Sequence, residues 1–166
     1  GMGRIGQKIA KVAKALGMTI HYHNRSELSS EKAQGATYHD NLKSLMSVSD
    51  VLSVCCPASN ETINLINKET LENLPQGAVV TNVARGDIVD DEALIDALNR
   101  RKVYAVGLDV YKGEPNLNPG YLKHKSAFIL PHLGSATKET RTAMANLAID
   151  NLEEFYKTGN CKNKVN

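Results

Sequence analysis

No Cys-x-x-Cys spacing occurs among the three cysteines, an odd number, and two of them, Cys55 and Cys56, are adjacent inside an apolar run. That pattern supports neither a disulfide framework nor a zinc site, and a reducing, cytoplasmic setting is expected. Charge of one sign is also scarce in excess. The net is only +2, which gives nucleic acid or an anionic membrane no electrostatic footprint, so neither is expected as a partner. Lys162 and Lys164 read as a solvated basic end. There is no apolar stretch long enough to span a bilayer and no readable signal peptide. Internal repeats and low-complexity segments are absent too. What is present is 166 residues, 42% hydrophobic and 23% charged, which is enough for one well-buried domain and hardly for two.

Helical and strand-like periods alternate along the chain. Ile5, Ile9, Val12, Ala13 and Leu16 fall at helical spacing, and Gly17 is placed to end that helix. Residues 19–23 read as a strand, 24–35 as a polar loop, 36–38 as a short extended piece and 41–46 as a short helix. A buried strand over 51–56 is stopped by Pro57. A short helix is expected at 67–74, a buried strand at 78–83, and a helix capped by Asp90 or Asp91 that runs to Arg101. Further strands are expected at 103–110 and 127–130, before a long helix at 138–156 with Met144, Leu147, Ala148, Leu152 and Phe155 on one side. Strands alternating with helices, several apolar on both faces, imply an α/β fold with a mostly parallel, doubly wound sheet. Residues 111–126 hold two prolines and two glycines in a polar setting, and loops that long in compact domains tend to be functional.

The first six residues, Gly-Met-Gly-Arg-Ile-Gly, have the G-x-G-x-x-G spacing of a dinucleotide-binding turn. Glycines there let the backbone approach a pyrophosphate, and the free amides of the helix start bind its oxygens. Such a turn sits between a strand and a helix. Here the helix follows, but no strand precedes residue 1, so the spacing also reads as an N-terminal remnant and a frayed turn.

At the end of the next strand, where an acidic residue would hold the ribose 2′-hydroxyl of NAD, the chain reads His23-Asn24-Arg25-Ser26, with no acid before Glu27. Asn24 and Ser26 are neutral, and Arg25 can pair with a phosphate. NADP is therefore favoured and NAD stays possible, because Glu27 could reach the ribose while Arg25 is only a surface residue. Three later stretches carry chemistry. Arg85 lies just past a buried strand, Glu114 lies in the long loop, and His132 lies between a short strand and a helix. Together they supply a cation for a carboxylate, an acid to orient an imidazole, and a proton donor.

GMGRIG, SVCCPASNET, TNVARGDIVDDEAL, AVGLDVYKGEP and ILPHLGSAT, in that order, resemble the D-isomer-specific 2-hydroxyacid dehydrogenases from Gly1 to about Tyr156. The resemblance implies a Rossmann-like fold lacking the usual first strand, with residues 1–158 as the dinucleotide-binding domain and 159–166 as a tail. It also implies reversible reduction of a small 2-oxo acid: Arg85 holds the carboxylate, His132 is the acid/base and Glu114 orients and charges it. Cofactor contacts carried over by the resemblance are Gly1, Gly3, Arg4, Ile5 and Gly6 at the pyrophosphate. Thr62, Cys56, Pro57, Gly134 and Ser135 are expected near the cofactor, with Val83 and Ala84 beside the nicotinamide ribose. Asp109 is expected at the carboxamide, with Arg85 and His132 adjoining. Asn24-Arg25-Ser26 looks most like NADP-preferring glyoxylate and hydroxypyruvate reductases.

A homodimer is implied as well, and no metal is. Family members carry a second, substrate-binding domain that this chain lacks, and their first strand lies in the middle of the sheet, in the order 3-2-1-4-5-6. Its absence would leave two unpaired edges. A nucleotide-binding, dimerising or redox-sensing module without turnover, or an inactive truncated dehydrogenase, is the alternative reading.

Overall fold

A computed structural model describes residues 1–165, in two compact units that divide between Pro131 and His132. In the first unit, α1 (Arg4–Ala15) begins directly on Gly3 and closes near Gly17, whose φ of 85° is left-handed and suited to glycine. The strand β1 (His21–His23) follows. The polar stretch expected as loop contains one short helix, α2 (Ser30–Ala33), too brief to show a helical period in sequence. Next come β2 (Thr37–His39) and α3 (Leu42–Met46), whose Asn41 cap accepts from Ser44 N–H.

Beyond them lie β3 (Val51–Val54), α4 (Lys68–Glu72), β4 (Ala78–Asn82), α5 (Asp91–Asn99), β5 (Val103–Leu108) and β6 (Ala127–Ile129). Asn67 and Thr70 form a reciprocal capping box on α4, and Asp90 accepts from Ala93 N–H at the start of α5. Each side chain satisfies amides that a helix start otherwise leaves unpaired.

Two parallel sheets result. One is the pair β1–β2; the other runs β3-β4-β5-β6. Among the described residues no strand ladder joins them. The four-stranded sheet holds the core. Leu52, Val54, Val80, Val106 and Leu108 from the strands, Leu71, Leu94, Ala97 and Leu98 from the helices, and Leu74 just past α4 form one buried cluster. Each such Leu or Val contributes roughly 1.5–3 kcal/mol by leaving water. Because the strands are parallel, their carboxyl ends all lie along one edge of the sheet, where ligands bind in open α/β folds.

The second unit contains α6 (Lys138–Thr158), capped by Thr137 Oγ1, which accepts from Thr140 N–H, and closed by Gly159 at φ 73°. None of its residues is buried, so the stripe of Met144, Leu147, Leu152 and Phe155 stands exposed.

Candidate cofactor and acid–base site

The glycine turn is a tight seat. A Cβ on Gly1 would lie 2.5 Å from Cys56 N, and one on Gly6 would overlap Gly1 O. A Cβ on Gly3, by contrast, would meet nothing within 4 Å. Gly3 caps α1 with no side-chain hydrogen bond, and the first turn carries no acidic residue. A helix N-terminus with open space at Gly3 has the chemistry to hold a phosphate. Arg4 and Ile5 are both exposed beside them.

Met2 is buried and locks the turn to the end of β1, its N–H donating to Asn24 Oδ1 at 2.7 Å. The Asn24 side-chain oxygen thus faces the turn. Arg25 and Ser26 follow in an exposed bend, and Glu27 is exposed as well. Just past β3, Cys55 and Cys56 lie against Gly1. Burial pushes the Cys56 thiol up, opposed by the nearby Gly1 ammonium. After Pro57, Thr62 Oγ1 donates to Pro57 O at 2.9 Å and accepts from Ser59 N–H at 2.8 Å, folding that loop on itself.

At the end of β4, Asn82 organises the turn bearing Val83, Ala84 and Arg85. Its side chain donates to Arg85 O at 2.9 Å and accepts from Ala84 N–H at 3.0 Å. Ala84 is buried, whereas Val83 and Arg85 are exposed. On the neighbouring strand, Asp109 N–H donates to Asn82 O at 3.0 Å, and Asp109 is itself buried. Gly86 packs so closely on the backbone of Tyr111 and Lys112 that any Cβ would overlap it. The Arg85 turn and the loop carrying Glu114 are therefore in contact. Glu114 Oε1 accepts from Tyr111 N–H at 3.1 Å, and its bond to Pro115 is cis.

Two anchors of that loop were not foreseen. Tyr121 O–H donates to Asp91 Oδ1 at 2.8 Å in a buried pair, and Asn118 Nδ2 donates to Glu92 Oε1 at 2.8 Å. Burial raises the Asp91 carboxyl above its ordinary range, although the Tyr121 hydrogen bond and Lys112 oppose it. Burial and the Asp91 charge push the Tyr121 phenol upward. The available signal was the pair Tyr121-Leu122 in a largely polar loop.

The first unit thus brings Gly1, Gly3, Gly6, Asn24 and Cys56 together at one end of its strands. Val83, Ala84, Arg85, Asp109 and Glu114 cluster around the ends of β4 and β5. His132, Gly134 and Ser135 belong to the second unit. There His132 adopts φ 56°, a left-handed conformation that non-glycine residues seldom hold without a reason. Ala136 N–H donates to Leu133 O at 2.9 Å, so the three sit in one tight turn ahead of α6.

A glycine turn opening a helix at the carboxyl edge of a parallel sheet defines a Rossmann-like dinucleotide-binding protein. More particularly, residues 1–134 match the D-isomer specific 2-hydroxyacid dehydrogenase, NAD binding domain. The chain belongs to that family. It is 43% identical over 158 residues to a glycerate dehydrogenase of Hyphomicrobium methylovorum, covering 94% of this chain and 49% of the relative. A glyoxylate reductase structure from Paecilomyes thermophila superposes with TM-score 0.95 at 40% identity, over 99% of this chain and 50% of that one. An NADPH-dependent glyoxylate/hydroxypyruvate reductase from Sinorhizobium meliloti, in complex with NADP and malonate, gives TM-score 0.92 at 37% identity. That match spans 97% of this chain and 50% of the other. The chain therefore spans about half the length of the relatives it matches.

Among the described residues, no helix is long and apolar enough to cross a membrane, and no group of three or more His, Cys, Asp or Glu could hold a metal ion.

Proposed function

We propose that residues 1–158 form the cofactor-binding and acid–base portion of an NADP-dependent reductase of small 2-oxo acids such as glyoxylate or hydroxypyruvate. The observation that carries this reading is the packed contact between the Arg85 turn and the Glu114 loop at the ends of β4 and β5. NADPH, when bound, supplies the hydride that reaches C2 of the substrate. Arg85 binds the substrate carboxylate through its guanidinium fork and draws electron density from the keto oxygen. His132 donates the proton that the oxygen takes up, and Glu114 orients its imidazole for that transfer. Asp109, held by its backbone bond to Asn82, fixes the nicotinamide end, and Val83 and Ala84 flank the ribose. Arg4, Ile5, Thr62, Cys56, Pro57, Gly134 and Ser135 complete the cofactor contacts.

The NADP preference rests on Arg25, which follows β1 where an acid would repel the 2′-phosphate. A substrate domain outside these residues closes the pocket, in keeping with relatives twice as long. The protein acts as a homodimer in the cytoplasm. Three free cysteines support the compartment, and the exposed apolar residues Ile5, Val12 and Leu16 of α1 support a dimer.

NADPH oxidation with glyoxylate and hydroxypyruvate, followed by absorbance in the longest polypeptide that carries this chain, tests the assignment. Turnover is expected with at least one of the two acids. His132→Ala should remove about 100-fold or more of it, the usual weight of general acid catalysis, while leaving NADPH affinity unchanged. Absent turnover with every small 2-oxo acid tried would sink the reading.

A further inference from the structure

Three of the five histidines, His21, His23 and His39, stand on one face of the β1–β2 pair. Side chains alternate along a strand, so Tyr22 and Tyr38 take the other face, where their ring centres lie 5.4 Å apart. The histidines are bonded in a chain. His21 Nδ1 lies 2.9 Å from His39 Nε2, and His39 Nδ1 lies 2.6 Å from Ser44 Oγ on α3. His23 Nδ1 lies 2.8 Å from His39 O, and a carbonyl only accepts, so that nitrogen carries a proton. His21, His39 and Ser44 thus bridge both strands to the helix packed against them.

The bond between His21 and His39 has room for one proton. One ring donates and the other accepts, and the Ser44 hydroxyl, which can do either, serves both arrangements. With both rings charged, two N–H groups would face each other across 2.9 Å and the bond is lost. Burial holds the His39 imidazole below its ordinary range; His21 and His23 add to this, and Asp40 opposes it. Lys43 is the only charged residue of α3. Asp50, ahead of β3, borders the same cleft as His21 and His23, and no charged residue of α1 does.

The position of the cluster gives it a consequence. His23 runs directly into the bend at residues 24–26. There Asn24 Oδ1 accepts from Met2 N–H of the glycine turn, and Asn24 O accepts from Tyr38 O–H at 3.3 Å. We propose that His21, His39 and Ser44 form a proton-operated clasp, which holds the β1–β2 pair against α3 at neutral pH and lets go in acid, loosening the bend. The neutral rings close it. Its contribution is fully present above the unfolded histidine value of about 6.5 and is lost as pH falls through the lower folded value of His39. An effect on NADPH rests in addition on the cofactor reading above, so the clasp is tested without ligand.

Hydrogen–deuterium exchange of the longest polypeptide that carries this chain, at about pH 8 and about pH 5.5 and corrected for the intrinsic pH dependence of exchange, makes the test. Segments 19–28 and 36–46 should lose about tenfold or more of their protection in acid, while segment 78–83 of the four-stranded sheet keeps its own. His39→Gln, uncharged at every pH, should show the same protection at both. Ser44→Ala, which removes the anchor and no titrating group, should exchange these segments at the higher pH as fast as the wild type does at the lower. Equal protection of the wild type at both pH values overturns the proposal, as does an acid response that survives in His39→Gln or a Ser44→Ala protein that behaves as wild type. Loss of protection in segment 78–83 to the same extent overturns it too, because the acid effect would then be global unfolding.

Discussion

Gly3 and Gly6 belong to the same turn, yet the space around them makes different demands. A methyl group at Gly6 collides with Gly1 O, whereas at Gly3 it enters open space at φ −77°, where alanine is unstrained. Gly6→Ala should therefore disturb the turn itself, lowering the thermal midpoint together with NADPH affinity. Gly3→Ala should leave the midpoint unchanged and still weaken NADPH about tenfold, or 1.4 kcal/mol, by obstructing the phosphate. Fluorescence titration beside thermal melts separates the two, and an unchanged affinity in Gly3→Ala would place the phosphate elsewhere.

The buried Asp91 makes a second residue-scale prediction. Its folded carboxyl titrates above its unfolded value, so the native state binds the proton more readily. Its contribution is thus fully present below the unfolded pKa of about 4 and is lost as pH rises through the folded value. Against Asp91→Asn, the wild type should gain stability as pH falls from neutral toward about 4, read as a converging or crossing difference in melting temperature. Neither Asp91, Tyr121 nor Asn82 was legible as an anchor in the sequence. Their bonds depend on which residues the fold buries together, and the Tyr121–Asp91 bond joins positions 30 apart.

At the level of elements, caps and apolar runs were the readable part. Asp90 ahead of an apolar helix, Asn67 ahead of Lys68 and Gly17 after Leu16 end or begin helices where local chemistry places them. Asp90→Ala should cost about 1 kcal/mol, the ordinary worth of an N-cap, measurable by urea denaturation with unchanged slope. Expected strands came out shorter at their ends: 19–23 reduces to His21–His23, and 51–56 to Val51–Val54. Pairing lasts only while a neighbour runs alongside, and propensity cannot report that. The short α2 and the 3-10 turns at Gly86–Ile88 and Tyr121–Lys123 fall below the length at which a period exists. The apolar stripe of α6 was readable as a stripe, but sequence could not say that it would stand uncovered. Its amides should exchange well before those of β4 and β5, whose alternate residues are buried.

Across the whole molecule, the four-stranded sheet and the β1–β2 pair differ in how firmly they are held. The first carries nearly all of the buried aliphatic core; the second contributes Tyr22 from its strands and is bonded to the first through no ladder. Arg25 follows the two-stranded sheet and Arg85 the four-stranded one. Arg25→Ala should weaken NADPH about tenfold while changing NADH little, the loss of a charge-assisted bond, and paired titrations of the two cofactors check it. On the proposed reading, Arg25 and Arg85 therefore stand on different groups of strands. The proposed carboxylate-binding residue, Arg85, follows a strand of the sheet that carries the buried core. The proposed partner of the 2′-phosphate, Arg25, follows β1, which pairs with β2 alone among the described residues. On the proposed reading, substitutions that tighten β1 should shift the preference between NADPH and NADH more than substitutions within the four-stranded sheet, which the same paired titrations check.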